Sequence, residues 1–208
     1  MKLLSVNIDT QTVRTKASVG TLMNSPEELV ARARSGDEDA FRLIFERHAR
    51  SVVRFIYGMV GEADLAEELM QETFVRAYNN RNNLRDETKL AGWIFGIARN
   101  TALNALRSRR VANDKFADAD HDDVAGTEPS PDELLLSKEL DLIIGKALRS
   151  LSEDKRLVFT LKVLQQKSYE EIHEITGHSI AKLKIDLHRA KAEMRALVRP
   201  YMENKNEL

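Results

Sequence analysis

Two asparagines near the middle of the chain have the spacing and chemistry of a nucleic-acid contact. Asn100 and Asn104 stand four residues apart and would share one face of a helix. Amides offer donors and acceptors to base edges, and guanidinium groups bind phosphates. Arginines extend the same polar side at Arg99, Arg107, Arg109 and Arg110. The pattern predicts a helix, beginning near Leu90 and ending near Arg110, that contacts nucleic acid.

The loop before this helix combines short polar groups with an apolar residue. It comprises Leu84, Arg85, Asp86, Glu87, Thr88 and Lys89. An unstacked base can pack on apolar walls and form hydrogen bonds at its edge. The loop is therefore a candidate base pocket. Trp93, the one tryptophan, is predicted to belong to the core.

The segment from Ser168 to Arg189 has the proportions of a helix-turn-helix. Ser168 and Glu171 form a capping box, Gly177 stops the short helix, and Ser179 caps the next one. The apolar residues predicted to face inward are Ile172, Ile175, Ile180, Leu183 and Leu187. The residues left exposed are Lys182, Lys184, Asp186 and Arg189. This pattern favours binding in the DNA major groove, and the alternative is a helical hairpin with a solvated basic face.

A third segment, which begins at Asp64, predicts an amphipathic helix with an acidic outer face. The residues expected to be buried are Ala66, Leu69, Met70, Thr73, Phe74 and Ala77. The residues expected outside are Glu67, Glu68, Gln71, Glu72 and Val75. An ordinary solvated face is one interpretation. Val75 among the acids favours a docking surface instead.

Composition and periodicity indicate an all-α protein. The 208 residues include only four prolines and nine glycines, and apolar residues recur at helical spacing. Without cysteine, the chain can form neither a disulfide nor a cysteine-ligated metal site, and its five histidines lack zinc-binding spacing. No metal or cofactor is expected. No apolar run predicts a membrane span or a signal peptide, so the expected location is the cytoplasm.

The chain divides into two small helical domains joined by a flexible acidic linker. Residues 1–24 are expected to form a disordered tail, residues 25–110 the first domain, residues 111–130 the linker, residues 131–202 the second domain, and residues 203–208 a short tail. Capping signals at Ser25–Glu28 and Ser130–Glu133 open the two domains. Helices are predicted over 26–34, 39–60, 134–150 and 153–164, with Ser152 as a cap, and to about Tyr201 at the end. Translation starting at Met23 is one hypothesis for the tail.

Charge is segregated along the chain, although the total is only −1. The segment Asp114–Glu133 carries −7, and the rest of the chain therefore carries +6. Positive charge concentrated in the two domains indicates nucleic acid as a partner.

Taken together, these segments resemble the extracytoplasmic-function (ECF) sigma factors of bacterial RNA polymerase, group IV of the primary-sigma-like family. The resemblance covers about Pro26 to Val198. Region two is matched by DLAEELMQETFVRAY, from Asp64, and by WIFGIARNTALNAL, from Trp93. Region four is matched by SYEEIHEITG, from Ser168, and by LHRA, from Leu187.

The resemblance implies a role for each segment. The acidic helix would bind the clamp helices of the polymerase β′ subunit through Asp64, Glu68, Gln71, Glu72 and Val75. The loop Leu84–Lys89 would capture a flipped base of the promoter minus-ten element, which Arg99, Asn100, Asn104 and Arg107 would also contact. The minus-thirty-five element would meet Ser179, Lys182, Lys184, Asp186, His188 and Arg189. Region four would also bind the polymerase β flap.

The chain departs from the family pattern at a few positions. Leu84 stands where relatives often have Phe, which weakens a stacking wall, and Asp186 stands where they often have Arg. His178 and Ile185 also differ from the commonest residues. The resemblance therefore leaves the promoter sequence undefined.

The expected function is that of a dissociable initiation subunit that supplies promoter choice and strand opening. It is not expected to be an enzyme, since no nucleophile–base set or phosphate loop is visible. An anti-sigma factor is an expected partner, and it could hold the chain near the membrane without insertion. Two alternatives stay open: a helix-turn-helix regulator independent of core polymerase, and a helical adaptor that binds only protein.

Overall fold

The computed structural model describes residues 26–84, 89–115 and 143–203. Within these ranges the chain forms eight helices and no strand, which confirms the all-α prediction. The helices are α1 Pro26–Arg34, α2 Glu38–Val60, α3 Ala63–Asn79, α4 Leu90–Lys115, α5 with residues 143–150 described, α6 Glu153–Phe159, α7 Tyr169–Thr176 and α8 Ile180–Glu203. A 3-10 turn, Arg81–Asn83, follows α3, and a π-helical turn, Thr160–Leu164, continues α6.

Helices α1 to α4 form a first bundle around aromatic pairs. Phe45 meets Phe74 edge to face at 4.8 Å between ring centroids, and Phe55 meets Phe95 at 5.4 Å. These pairs join α2 to α3 and to α4, respectively. Their geometry adds to the burial of apolar area, so the three helices hold fixed positions relative to one another.

Helices α5 to α8 form a second bundle that includes the predicted helix-turn-helix. Ser168 Oγ accepts a hydrogen bond from the Glu171 amide at 3.0 Å, and Glu171 accepts one from the Ser168 amide at 2.7 Å. This reciprocal capping box starts α7, as predicted. Gly177 ends it with φ +73°, a left-handed conformation that glycine adopts without a Cβ clash.

The two bundles pack against each other and share one buried core. Helix α2 contacts α6 and the π-helical turn, while α4 contacts α7. Gly58 and Met59 of α2 lie against the second bundle, where Thr160 is completely buried. This inter-bundle contact had no signal in the sequence.

Several predicted details differ in the structure or lie outside the described residues. Helix α4 continues to Lys115, five residues into the predicted linker. Ser152 occupies the N-cap position of α6 but makes no side-chain capping hydrogen bond, and Met70 and Ile180 are half-buried. Trp93 packs on the core, also half-buried. Outside the described residues lie the N-terminal tail, residues 204–208, the Ser25 and Ser130 caps, most of the linker and the beginning of the predicted 134–150 helix.

Candidate nucleic-acid and partner interfaces

Helix α4 presents its two asparagines on an exposed stripe. Ala98, Thr101 and Ala102 are buried against the first bundle. The other side exposes Asn100 and Asn104, and Arg107 follows three residues later. Amide and guanidinium groups therefore line one accessible face of α4, as the spacing predicts. We call Asn100, Asn104 and Arg107 the amide stripe.

The remaining arginines of α4 do not all extend this stripe. Arg109 forms a two-pronged ion pair with Glu62 at the start of α3, and this hydrogen bonding lowers the pKa of Glu62. Arg110 lies 3.3 Å from a carboxylate oxygen of Glu153 in the second bundle. The expectation that both extend the phosphate-binding side is therefore wrong. Their acidic partners are distant in sequence, so the pairing could not be read from local spacing.

Arg99 occupies a half-buried position beside the amide stripe. Its Nη1 donates a hydrogen bond to Asn100 Oδ1 at 3.3 Å. Its Nε is buried and has no hydrogen-bond partner. Arg99 can therefore orient the Asn100 amide, while its Nε makes no hydrogen bond within the described residues.

The predicted base pocket is described only at its two ends. Leu84 is 4 % exposed and packs into the core, whereas Lys89 is exposed. The positions between them, residues 85–88, lie outside the described residues. The burial of Leu84 shows that this side chain anchors the start of the loop.

Helix α3 exposes the predicted acidic face. Its buried side consists of Ala66, Leu69, Thr73, Phe74 and Ala77. Asp64, Glu68 and Gln71 are exposed, and Glu72 is half-buried beside Arg76, to which it pairs at 2.6 Å. Val75 is 60 % exposed in the same face. Val75 is thus an exposed apolar residue in an otherwise polar and acidic face.

The helix-turn-helix places a basic face on α8. Leu183, Leu187 and Ala190 are buried. Their opposite side exposes Lys184, His188 and Arg189, and Ile185 is 52 % exposed among them. Ser179 is exposed and caps α8, since its Oγ accepts a hydrogen bond from the Lys182 amide at 3.3 Å. We call Lys184, Ile185, His188 and Arg189 the α8 reading face.

Asp186 and Lys182 are not free members of this face. Lys182 Nζ donates hydrogen bonds to Asp186 at 2.6 Å and to Asp154 of α6 at 2.7 Å. Only 14 % of the Asp186 side chain is exposed, so the prediction that Asp186 is exposed is wrong. Burial opposes the charge of Lys182, yet the two carboxylates raise its pKa overall. The carboxylates of Asp186, four residues along α8, and of Asp154, on α6, thus hold the Lys182 ammonium group against the protein surface.

An apolar groove lies on the second bundle between α5, α6 and α8. Ile144 of α5, Phe159 of α6, and Met194 and Val198 of α8 line it. Lys191 and Arg195 stand among its lining residues. The groove combines apolar surface with cations and was not predicted from the sequence.

Sequence reasoning also missed residues that organise these surfaces. Asp154 holds Lys182, and Glu62 holds Arg109. Arg156 is 7 % exposed and donates to three backbone carbonyls. Because Arg156 pairs with backbone carbonyls and not with an acidic side chain, no charge pattern predicts its burial. Its place among the apolar residues of α6 is the one sequence feature that indicates it.

Within the described ranges, no cluster of three or more metal-ligating side chains occurs. None of the helices described is both long enough and apolar enough to cross a membrane.

Comparison with known families matches both bundles. The Sigma-70 region 2 model matches residues 44–111. The Sigma-70 region 4 model matches residues 141–194. The first match contains the acidic face of α3 and the amide stripe, and the second contains the helix-turn-helix.

Related proteins agree with this assignment. The chain is 32 % identical over 184 residues to an ECF RNA polymerase sigma-E factor of Haemophilus influenzae, covering 85 % of this chain and 96 % of that protein. Two solved structures share the fold, each with a TM-score of 0.64. One is CnrH in complex with the cytosolic domain of CnrY, at 22 % identity over 85 % of this chain and 99 % of that chain. The other is the sigma factor RpoE of Bartonella quintana in complex with the anti-sigma factor NepR, at 24 % identity over 76 % and 96 % of the two chains.

A helical region-two bundle followed by a region-four helix-turn-helix defines a Sigma-70-type transcription factor. The chain belongs to the ECF sigma factors. It binds core RNA polymerase and recognises promoter DNA.

Proposed function

We propose that three exposed faces divide the work of promoter recognition among them. The α3 face of Asp64, Glu68, Gln71, Glu72 and Val75 binds the clamp helices of the polymerase β′ subunit. The amide stripe contacts the minus-ten element, and the α8 reading face contacts the minus-thirty-five element. The α3 face and the amide stripe lie on different helices of one bundle, and that observation carries the proposal. Because the two faces do not overlap, polymerase and DNA can be bound together.

Strand opening follows from the first bundle's position on polymerase. Extruding a base costs a few kcal/mol, which hydrogen bonds to the base edge and phosphate attraction offset. Asn100 and Asn104 are exposed and can supply those hydrogen bonds, while Arg107 is placed for a phosphate. The loop 84–89 remains the proposed seat of the extruded base, with Leu84 as its buried anchor. The acidic linker, residues 111–130, is proposed to avoid DNA and to run through polymerase.

In the second bundle, upstream DNA is proposed to meet Lys184, His188 and Arg189 directly. Ser179 and the ion-paired Lys182 and Asp186 support the position of α8 beside the phosphates. Ile185 offers apolar contact to a thymine methyl group. The apolar groove between α5, α6 and α8 is proposed to receive the polymerase β flap. It is lined by Phe159 and Met194, which the flap would cover.

An anti-sigma factor is the proposed regulator of the chain. Two proteins of similar fold were solved with an anti-sigma factor or a cytosolic partner domain bound. The proposed regulator would cover the exposed α3 face, where Val75 lies, and thereby exclude polymerase. The chain itself is proposed to carry out no catalysis, to act in the cytoplasm, and to use no cofactor or metal.

The amide stripe supplies the sharpest test of this division of labour. Replacing Asn100→Ala together with Asn104→Ala should reduce permanganate reactivity of the melted promoter strand, while binding to core polymerase stays unchanged. The matched control replaces two exposed residues with the same spacing on α2, Glu46→Ala with Arg50→Ala. Undiminished strand opening by the asparagine variant would refute the assigned role. Absence of binding between the wild-type chain and sigma-free core polymerase would refute the proposal as a whole.

A further inference from the structure

The beginning of α8 carries a cluster of opposite charges that we call the acid–lysine triad. It consists of Asp154 of α6 with Lys182 and Asp186 of α8. The Lys182 ammonium group lies 2.7 Å from Asp154 Oδ2 and 2.6 Å from Asp186 Oδ2. Two of its three hydrogens are therefore already donated within the protein. One positive charge faces two negative charges, so the triad as a whole is negative.

The triad occupies a part of the helix-turn-helix where a lysine would ordinarily attract DNA. Lys182 lies in the first turn of α8, which begins at Ile180. In this motif the N-terminal residues of the second helix enter the major groove, and lysines along the helix bind phosphates. Lys184 is exposed only two positions further on. Lys182 is thus close to DNA that contacts the α8 reading face, and its two carboxylate partners oppose any attraction to phosphate.

The position of α8 on α6 does not depend on Asp154 alone. A second ion pair joins the same two helices, because Lys155 Nζ donates to Glu193 Oε1 at 2.5 Å. Leu183 and Leu187 of α8 are also buried in the shared core. Asp154 itself is 52 % exposed, and exposed ion pairs contribute little to stability. The main effect of Asp154 is therefore on the charge of Lys182.

Both oxygens of the Asp154 carboxylate face groups of the helix-turn-helix. Oδ2 accepts the hydrogen bond from Lys182, and Oδ1 lies 3.5 Å from Nε2 of His178 in the turn before α8. The hydrogen bond from Lys182 is the largest of the effects that lower the pKa of Asp154. The carboxylate is therefore ionised at neutral pH, where it offsets the charge of Lys182.

An additional phosphate contact at this position would favour DNA of the wrong sequence. Phosphate attraction supplies nearly all of non-specific binding and carries no sequence information. At a specific site, base contacts hold the first turn of the reading helix over base edges. On other DNA no base contact fixes the helix, so a lysine in this turn can settle against the backbone. A free Lys182 would therefore strengthen non-specific binding more than promoter binding.

We propose that Asp154 and Asp186 withhold Lys182 from DNA phosphates, and that Asp154 is thereby a specificity-determining residue outside the helix-turn-helix. The triad lowers the affinity of α8 for DNA of any sequence. Retention at a promoter then depends on the base contacts of the α8 reading face. This inference rests on the proposed function, because it requires that face to lie on DNA.

The test is a salt titration of DNA binding by polymerase that carries each variant of the full-length chain. The two-amide variant, Asp154→Asn with Asp186→Asn, removes both charges and keeps the shapes of the side chains. On a random-sequence duplex it should raise the slope of log affinity against log salt by about 0.9, or a relative gain of about eightfold for each tenfold fall in salt. Asp154→Asn alone should give a smaller rise, because Asp186 still pairs with Lys182. The gain on promoter DNA should be smaller in both variants.

Two controls separate the release of Lys182 from a general loss of negative charge. Glu170→Gln with Glu174→Gln removes two exposed acids from α7, neither of which is a partner of Lys182. This control should leave the slope nearly unchanged. In a Lys182→Ala background, the two-amide substitutions should have no greater effect than the control. Equal gains with and without Lys182 would overturn the proposal.

Two further results would also overturn the proposal. An unchanged slope in the two-amide variant would show that Lys182 is not withheld from DNA. Weaker binding to both DNAs, together with a lower unfolding temperature, would show that the triad only positions α8. Lys184→Ala distinguishes these failures from failure of the proposed function. If Lys184→Ala leaves promoter binding unchanged, the proposed contact of α8 with DNA is wrong. If it weakens binding while the two-amide variant changes nothing, only the role of the triad is wrong.

Discussion

Lys182 and Lys184 stand two positions apart on α8, yet their surroundings differ completely. Lys182 donates to Asp154 at 2.7 Å and to Asp186 at 2.6 Å. Lys184 is exposed, and its ammonium group lies 5.6 Å from the centroid of the Tyr169 ring. An ammonium already held by two carboxylates has little attraction left for phosphate. Of these two lysines, Lys184 is therefore the one whose ammonium group is available to bind phosphate.

This difference predicts unequal effects on DNA binding by the polymerase complex. Lys184→Ala should lower the slope of log affinity against log salt by about 0.9, the value for one lost phosphate contact. Lys182→Ala, the matched control, should leave the slope nearly unchanged. The measurement is a salt titration of promoter binding by polymerase carrying each variant. Equal slopes for the two variants would contradict the assignment.

Local residue chemistry was predictable, and distant pairing was not. The Ser168–Glu171 capping box and the Gly177 stop depend on spacings of a few residues, so the sequence predicts them directly. Asp154 and Lys182 are 28 residues apart, and their contact depends on how α6 packs on α8. The same limit explains the error at Asp186. Helical periodicity predicts that Asp186 lies on the surface of α8. It does not predict that Lys182, also expected to be exposed, forms an ion pair with Asp186.

At the scale of elements, α3 has one side in the core and the proposed polymerase-binding face on the other. Its buried side packs on α2 and α4, while Val75 is 60 % exposed among acidic residues. Helical periodicity predicts both sides, because it depends only on positions along one helix. The end of α4 was less predictable. The helix continues to Lys115 because the residues after Arg110 contain no proline or glycine to stop it.

The exposed apolar contact of α3 yields a prediction for polymerase binding. Val75→Arg should weaken binding to core polymerase at least fivefold, or about 1 kcal/mol, because it places charge at an apolar contact. Thermal unfolding should be almost unchanged, since the side chain is exposed. Leu43→Arg on α2 is the matched control, because Leu43 is also exposed, at 38 %. Equilibrium titration of labelled protein with core polymerase measures the affinity of both variants. If only the Leu43 variant lost affinity, the polymerase-binding face would lie on α2 and not on α3.

At the scale of the whole molecule, the contact between the two bundles brings the basic groups of Arg47 and Lys167 close to His48. His48 of α2 is half-buried near Lys167 of the second bundle. Burial first, and then Arg47 and Lys167, lower the pKa of His48 below its ordinary value of 6.5. The packed state therefore prefers the neutral imidazole. No pattern in the sequence predicts this, because His48 and Lys167 come together only when the bundles pack.

The lowered pKa of His48 predicts a loss of stability toward acid. Its folded pKa is below the unfolded value, so this contribution is fully present above pH 6.5 and is lost as pH falls through the folded pKa. Urea unfolding between about pH 7.5 and pH 5 should show the decline. His48→Gln should flatten the curve in that range, because glutamine cannot take up the proton. An unchanged decline in this variant would assign the effect to other groups.

The π-helical turn after α6 has a consequence for how such proteins can diverge. Gln165 N donates to Thr160 O at 3.0 Å, five residues back, so the turn holds one residue more than a regular helical turn. Deleting a single codon here would restore ordinary winding, and the chain on either side of the turn would keep its register. Each later helix would keep its own sequence, capping and buried side. A one-residue change in length can therefore be absorbed within this turn while α7 and α8 keep their orientation.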